Sequence, residues 1–409
     1  MSLMDLLRRD SRLEKFCQII EKTHGDTLLS STQTYTVWAP RNEALADVDM
    51  DDMDALRRLV KNHIARYTNP SSTSPEKKIY MLNNKIMSFK DSNRFMDASI
   101  EEKDMLAQNG VLHVLREQIP YQFNILERMA TDANYSKVYD FITRWNQKNY
   151  DPGLSTAYDS VFVDYNPMLE SLGYGIGLLD NEDSLYTMII PDNAAWDEAM
   201  ARLQPYFKPG SKLTGDALIA YQDSASESRA GQAILAGLTF PGVKFQNAQG
   251  EFVDPVTWDS LYTVDRHLLY KKDLQAYFNG YDLEKASNGY MYLAHGHLNM
   301  ADTCTWNLPV KVEGENSYYT IKDLALSSAI RTTTDYSAVQ GVSGNAYLEM
   351  SASNNNTGVT FKLPQVLAGK YEIWVDYVPP IIDGVAKKTR MQYQFCLLYT
   401  SPSPRDTER

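Results

Sequence analysis

The residues in this chain that could do chemistry are few and far apart. "HGH" at 295–297 sets two imidazoles two positions apart, on one face if the segment is a strand, a spacing that metals use. Zinc needs at least one more protein ligand, and Asp302 and Cys304 are the nearest candidates, so a solvated loop is the plainer reading. "DVDMDDMD" at 47–54 begins like a calcium loop, with Asp47, Asp49 and Asp51 alternating. Asp52 stands where that loop needs glycine, however, and Arg58 where it needs the twelfth-position glutamate. Carboxylates just before a helix starting near Met53 would favour its positive end, which accounts for the run. "GYGIG" at 173–177 lacks the G-x-G-x-x-G spacing of a dinucleotide loop, and neither a Walker lysine nor a G-x-S-x-G elbow occurs.

His63 lies seven residues after Leu56 on an apolar helical stripe, and His113 alternates with Val111 and Leu115 on a strand. Both read as buried histidines bonded within a core rather than as switches or bases. Cys17, Cys304 and Cys396 form no C-x-x-C pair, and Cys17 shares a helical stripe with Leu13, Phe16 and Ile20, as a small buried hydrophobe would. Among 52 acidic residues nothing singles out a carboxylate pair for glycoside cleavage. No catalytic constellation, cofactor loop or metal set is expected; the expectation is a non-enzyme. The residues best suited to binding are aromatic. Tyr150, Tyr158, Phe162, Tyr165 and Tyr174 crowd the segment 146–184, and Trp374 points opposite Ile373 and Val375 on a later strand. Tyrosine joins apolar area to a polar tip, which suits a protein or sugar surface, although packing onto its own domain is the plainer fate of such a segment.

The 409 residues carry 40 basic and 52 acidic side chains, a net charge of −12, with no polybasic cluster, so nucleic acid is an unfavoured partner. No run approaches the roughly 18 apolar residues of a membrane span, and "MSLMDLLRRD" has no secretory h-region.

The elements that must hold these residues recur. A helix with Leu13, Phe16, Cys17 and Ile20 on one stripe is matched by Val138, Phe141, Ile142 and Trp145. "TYTVWAPRNEAL" at 34–45 returns as "LYTMIIPDNAAW" at 185–196, and "QNGVLHVL" at 108–115 as "SNGYMYLA" at 287–294. Pro40 and Pro191 end a strand, and Asn42 and Asn193 are placed to cap the helix that follows. Leu56, Leu59, Val60, Ile64 and Tyr67 keep helical spacing over 55–67. The second copy is longer, and its insertions are where local function would sit. From about 308 the pattern changes to short strands: Val359, Phe361 and Leu363 on one face, then Tyr371, Ile373, Val375 and Tyr377.

"TVWAPRNEAL" (Thr36–Leu45), "NGVLHV" (Asn109–Val114) and His63 in "LVKNHI" resemble the signatures of the fasciclin domain family. The second copy keeps Pro191, Asn193, Asn288 and Gly289, but has Ile190 for the signature alanine and Tyr292 for the histidine, so it resembles a divergent member. The resemblance implies an α+β fold: two tandem fasciclin-like domains, 1–120 and 131–300, followed by a truncated all-β sandwich at 308–395. Residues 396–409 resemble translated adapter sequence and are expected to be a non-native tail. The family implies non-catalytic adhesion through extracellular protein or carbohydrate at a cell surface. The alternative is a glycan-binding accessory lipoprotein of a bacterial polysaccharide-uptake system, outer-membrane anchored or periplasmic. The first helix starts close to Met1, leaving room for a signal and lipid anchor before it. Ligand-binding residues are then expected at Tyr150, Tyr158, Tyr165, Tyr174 and Trp374.

Overall fold

The computed structural model describes residues 1–73, 77–153, 155, 160–170, 175–248 and 250–301, and beyond them 312–313, 321–322, 328–332, 342, 346–350, 359–361, 366–379 and 381–388. The chain divides into two units, Met1–Asn193 with Thr239–His295, and Ala194–Leu238 with Gly296–Arg409.

The first unit opens with three helices, α1 (Leu3–Arg9), α2 (Glu14–Lys22) and α3 (Asp26–Leu29). A capping box starts α1: the Ser2 side chain accepts from the Asp5 amide while the Asp5 carboxylate accepts from the Ser2 amide. Strand β1 (Tyr35–Pro40), helix α4 (Met53–Asn62) and strand β2 (Ile64–Arg66) follow, then β3 (Ile79–Tyr80), β4 (Ile86–Met87), β5 (Phe89–Asp91), β6 (Arg94–Phe95), β7 (Ala98–Ala107) and β8 (Gly110–Leu115). One six-stranded sheet runs β2-β1-β8-β7-β6-β5. Its centre is the parallel pair β1 and β8, in register from Tyr35 opposite Gly110 to Pro40 opposite Leu115. Both strands are buried along their whole length because both faces are covered, which is why "YTVWAP" and "GVLHVL" read as nearly continuous apolar runs. One face packs Val37, Ala39, Leu112 and Val114 against Phe16, Ile20, Leu56 and Leu59 of the helices. The other packs Trp38, Ala65 and Leu115 with Phe89 and Phe95, and Trp38 stacks on Phe95 at 4.1 Å between centroids.

The same pairings recur in the second half of this unit. Helices α5 (Ile125–Ala130) and α6 (Ser136–Thr143) precede a hairpin of β9 (Gln147–Tyr150) and β10 (Phe162–Tyr165), then β11 (Tyr186–Pro191). After the helices α7 (Asn193–Leu203) and α8 (Gly215–Leu238) come β12 (Thr239–Pro241), β13 (Ser260–Tyr262), β14 (Leu268–Tyr270), α9 (Lys271–Phe278), β15 (Asp282–Ala286) and β16 (Gly289–Ala294). The sheet β12-β11-β16-β15 again centres on a parallel pair, Tyr186 opposite Gly289 through Pro191 opposite Ala294.

The asparagines of the repeated segments play matched parts. The Asn109 side chain accepts from the Leu3 amide and donates to the carbonyls of Leu29 and Ser31. Asn288 accepts from the Ile125 amide and donates to Leu179 and Asn181. Each ties the first helix of its half to the turn before the parallel strand. Asn42 and Asn193 act otherwise than the sequence suggested. They bond backward, Asn42 accepting from Lys15 N–H and donating to Ser11 C=O, and Asn193 accepting from Lys137 N–H and donating to Ala133 C=O. Tertiary contact thus captures a side chain that local spacing assigned to the next helix, and after Pro40 the chain makes only a 3-10 turn, Asn42–Leu45.

Two further expectations change. Helix α4 ends at Asn62, and Ile64–Arg66 pairs antiparallel with β1, so Ile64 and Tyr67 are not helical. Helical spacing there met the open edge of β1, and ladder bonds won over local periodicity. Helix α6 ends at Thr143 and leaves Trp145 exposed, off the buried stripe of Val138, Phe141 and Ile142.

In the second unit, Gln204 bonds the Asp223 carbonyl and the Ser226 hydroxyl of α8, and Tyr206 accepts from the Ala368 amide. The later strands described are two-stranded ladders: β17 (Ile321–Lys322) with β20 (Thr360–Phe361), β18 (Ser328–Thr332) with β19 (Ala346–Met350), and β21 (Ile381–Ile382) with β22 (Val385–Ala386). Tyr371, Ile373, Val375 and Tyr377, expected on a strand, lie outside any strand and are all exposed, so their alternation buries no face among the described residues. Leu363 and the tail 396–409 lie outside the described residues.

Candidate binding surface

The two histidines are held from both sides as neutral rings. His63 Nε2 accepts from the Ile119 amide at 3.0 Å, which leaves the proton on Nδ1, 2.8 Å from the Leu59 carbonyl. His113 Nδ1 accepts from the Asp104 amide at 3.3 Å, and its Nε2 faces the Asn69 carbonyl at 3.0 Å. Burial pushes His63 down to about 4, against the opposing pull of the Leu59 carbonyl, and burial lowers His113 as well. A charged ring would also lose its acceptor nitrogen. Both are therefore core groups, as the sequence suggested.

A pH dependence follows. The folded value of His63 lies below the ordinary value of 6.5, so between about 6.5 and 4 the unfolded chain binds a proton that the folded one does not. Stability is complete above that window and falls as pH drops through it, by roughly 3 kcal/mol at pH 4 from His63 alone. Urea midpoints measured from pH 7 to 4.5 should decline, and His63→Gln should flatten the decline. A wild-type midpoint that stays constant over that range would refute the assignment.

Local contacts account for parts of the other chemistry-bearing motifs. Asp52 N-caps α4 through the amides of Asp54 and Ala55. His295 meets Asp282 at 3.0 Å, and His297 is 3.5 Å from Glu198. Among the described residues no group of three or more His, Cys, Asp or Glu side chains is placed to hold a metal; Asp302 and Cys304 lie outside them. In the GYGIG stretch, a Cβ on Gly175 would sit 2.5 Å from the Met168 carbonyl oxygen, so close packing accounts for that glycine.

What is exposed is the β9–β10 hairpin. Tyr150 pairs with Phe162 across the ladder, and Lys148 with Asp164. The two rings meet edge to face at 5.8 Å, within the favourable range for aromatic pairs, yet remain 53% and 55% exposed. Side chains alternate about a strand, so Asn149 and Val163 take the opposite face, and they are exposed too. The Lys148–Asp164 ion pair at 2.7 Å is solvated and adds little stability. Asn166 fixes the base of the hairpin by donating to the Ile142 carbonyl and the Asn146 side chain while accepting from the Met168 amide. Tyr165 turns back to donate to Glu170 and is only partly exposed. Trp374 is 83% exposed in the second unit, whereas Tyr158 and Tyr174 lie outside the described residues.

The sequence drew attention to this segment by its tyrosines. That Phe162 rather than Tyr165 would share a face with Tyr150 could not be read without the strand register.

Residues 11–119 match the family model of the fasciclin domain. Among solved structures, a FAS1 domain pair from the insect cell adhesion molecule fasciclin I is similar at 15% identity and a TM-score of 0.25, covering 72% of this chain and 98% of that one. No curated protein sequence matches.

Proposed function

We propose, from the premise that residues 11–119 are a fasciclin domain, that this chain is a non-enzymatic adhesion or binding protein that engages an extracellular partner through the β9–β10 hairpin. Residues 131–300 act in this reading as a second, divergent fasciclin-like domain, supported by the matched parallel strands and by the matched bonds of Asn109 and Asn288. The observation that carries the reading is the exposed ring pair Tyr150 and Phe162 on a base fixed by Asn166. A rigid aromatic pair presents apolar area at low entropic cost, which is how binding hot spots are built. Fasciclin domains occur in extracellular and cell-surface proteins, and no described helix is long and apolar enough to cross a membrane.

The Tyr150→Ala/Phe162→Ala double variant is expected to lower capture of cell-surface protein by at least tenfold while changing the unfolding free energy by no more than about 0.5 kcal/mol, since exposed side chains hold little of the fold. Unchanged capture by a folded double variant would overturn the proposal. A second reading, carbohydrate capture by an accessory surface lipoprotein, is favoured by the solvent exposure of Trp374. Glycan-array binding abolished by Trp374→Ala or Tyr165→Ala would support it over the protein partner.

A further inference from the structure

A separate pocket of about 310 Å³ opens beside β2 and β3, lined among others by Arg66, Tyr67, Asn69, Lys78 and Tyr80. Its volume lies at the small end for ligand sites. Arg66 and Lys78 are exposed, and neither forms an ion pair among the described residues, in a chain whose net charge is −12. Two tyrosines line it beside them, Tyr67 at 71% and Tyr80 at 49% exposure. The Tyr80 hydroxyl donates to Asp183 at 2.8 Å.

Tyr67 has a φ of +65°, a left-handed conformation that a bulky side chain seldom adopts. Hydrogen bonds hold it there. Its amide donates to the Thr34 carbonyl at 2.8 Å, and its carbonyl accepts from Thr36 Oγ1 at 2.7 Å and from Asn69 Nδ2 at 3.3 Å. The Asn69 carbonyl is in turn engaged by His113 Nε2. These bonds thus hold an unfavourable backbone conformation at a residue whose exposed ring lines the same pocket as Arg66 and Lys78. Outliers held in this way by their surroundings cluster at ligand sites, which makes Tyr67 a candidate contact.

We infer that this pocket binds an acidic saccharide, a sugar bearing uronate or sulfate groups. Arg66 and Lys78 would pair the anionic groups, and the tyrosine faces would cover the apolar side of the ring. The inference goes beyond the hairpin reading above and rests on it only in supposing an external ligand.

The test titrates the purified full chain with tetragalacturonate, a sulfated tetrasaccharide, maltotetraose and tetraglutamate. Binding of either acidic saccharide at least tenfold tighter than both maltotetraose and tetraglutamate, weakened by added salt, is expected, and the two acidic arms tell uronate from sulfate. Arg66→Gln/Lys78→Gln should lower that affinity at least tenfold with an unchanged urea midpoint. Tyr67→Gly should weaken binding while leaving the midpoint equal or higher, because glycine accepts the left-handed conformation freely. Equal binding of maltotetraose, equal or tighter binding of tetraglutamate, no binding by either acidic saccharide, or full affinity in the Arg66→Gln/Lys78→Gln variant would each overturn the inference. Tyr150→Ala/Phe162→Ala should leave saccharide affinity unchanged. A loss there would transfer the sugar to the hairpin, so failure of this pocket and failure of the hairpin reading are read from different variants.

Discussion

Gly110→Ala is expected to unfold the N-terminal sheet, or at least to cost it about 4 kcal/mol, a size reached only by a short list of mechanisms. Gly110 begins β8 opposite Tyr35 in the central parallel pair. A Cβ there would lie 1.8 Å from the Tyr35 carbonyl oxygen, far inside contact distance, and the obstructing atom is backbone that cannot rotate away. The strands would have to part at the point where the Tyr35 amide donates to the Asn109 carbonyl at 3.0 Å. The φ of +146° adds strain for any side chain. Gly289→Ala should do the same in the second half, since its Cβ would lie 1.7 Å from the Tyr186 carbonyl oxygen. Gly280→Ala is the control: its φ is +77° but nothing lies within 4 Å, so it meets conformational strain alone, about 1–2 kcal/mol. Urea midpoints for the three variants decide the matter. Similar small losses at Gly110 and Gly280 would show that the close approach is not the controlling factor.

Lys85→Met is expected to destabilise the first unit by about 3–5 kcal/mol, the usual result of removing one partner from a buried ionic group. Lys85 sits in the turn from β3 to β4 and is 2% exposed. Its ammonium reaches across to the second half, 2.8 Å from Glu182, 2.9 Å from Glu127 and 3.0 Å from the Ser287 hydroxyl, with the Tyr121 ring 4.8 Å away. Methionine keeps the stem but leaves the Glu182 carboxylate, 8% exposed, without its cation. Glu127 is more than a third exposed and partly solvated, so most of the cost arises at Glu182. Lys85→Met/Glu182→Leu should recover much of the loss, because it leaves only the partly solvated Glu127 carboxylate without its cation. The same contact locks the two halves, so Lys85→Met should also speed proteolysis between Leu115 and Asn124. A single variant as stable as wild type, with protease resistance unchanged, would refute the clamp.

Much of the fold of residues 11–119 was legible because its signals are local. Phe16, Cys17 and Ile20 mark a buried helical stripe, "TVWAP" a strand ended by proline, and Asp52 a helix start, and each depends on neighbours within a few residues. The Asn-Gly pairs at 109–110 and 288–289 were visible as a repeat, but their reason was not, since the obstructing carbonyls belong to Tyr35 and Tyr186, distant in sequence. Helical spacing over 55–67 misled because Ile64–Arg66 answered to β1, an edge that no window of sequence contains. Asn42 and Asn193 misled for the same reason, as their partners lie in earlier helices.

The candidate sites divide in the same way. The sequence by itself determined which residue types were available: an aromatic insertion with Tyr150 and Phe162, two histidines spaced for a core, and no motif for phosphate or nucleotide. Only the tertiary structure decided that Tyr150 and Phe162 share an exposed face, that Lys85 is buried against Glu182, and that Arg66 and Lys78 share a pocket with Tyr67 held left-handed. The physical reason is range. Propensity, capping and periodicity act over a turn or two of chain, whereas burial, strand register and charge pairing depend on groups brought together only by the completed fold.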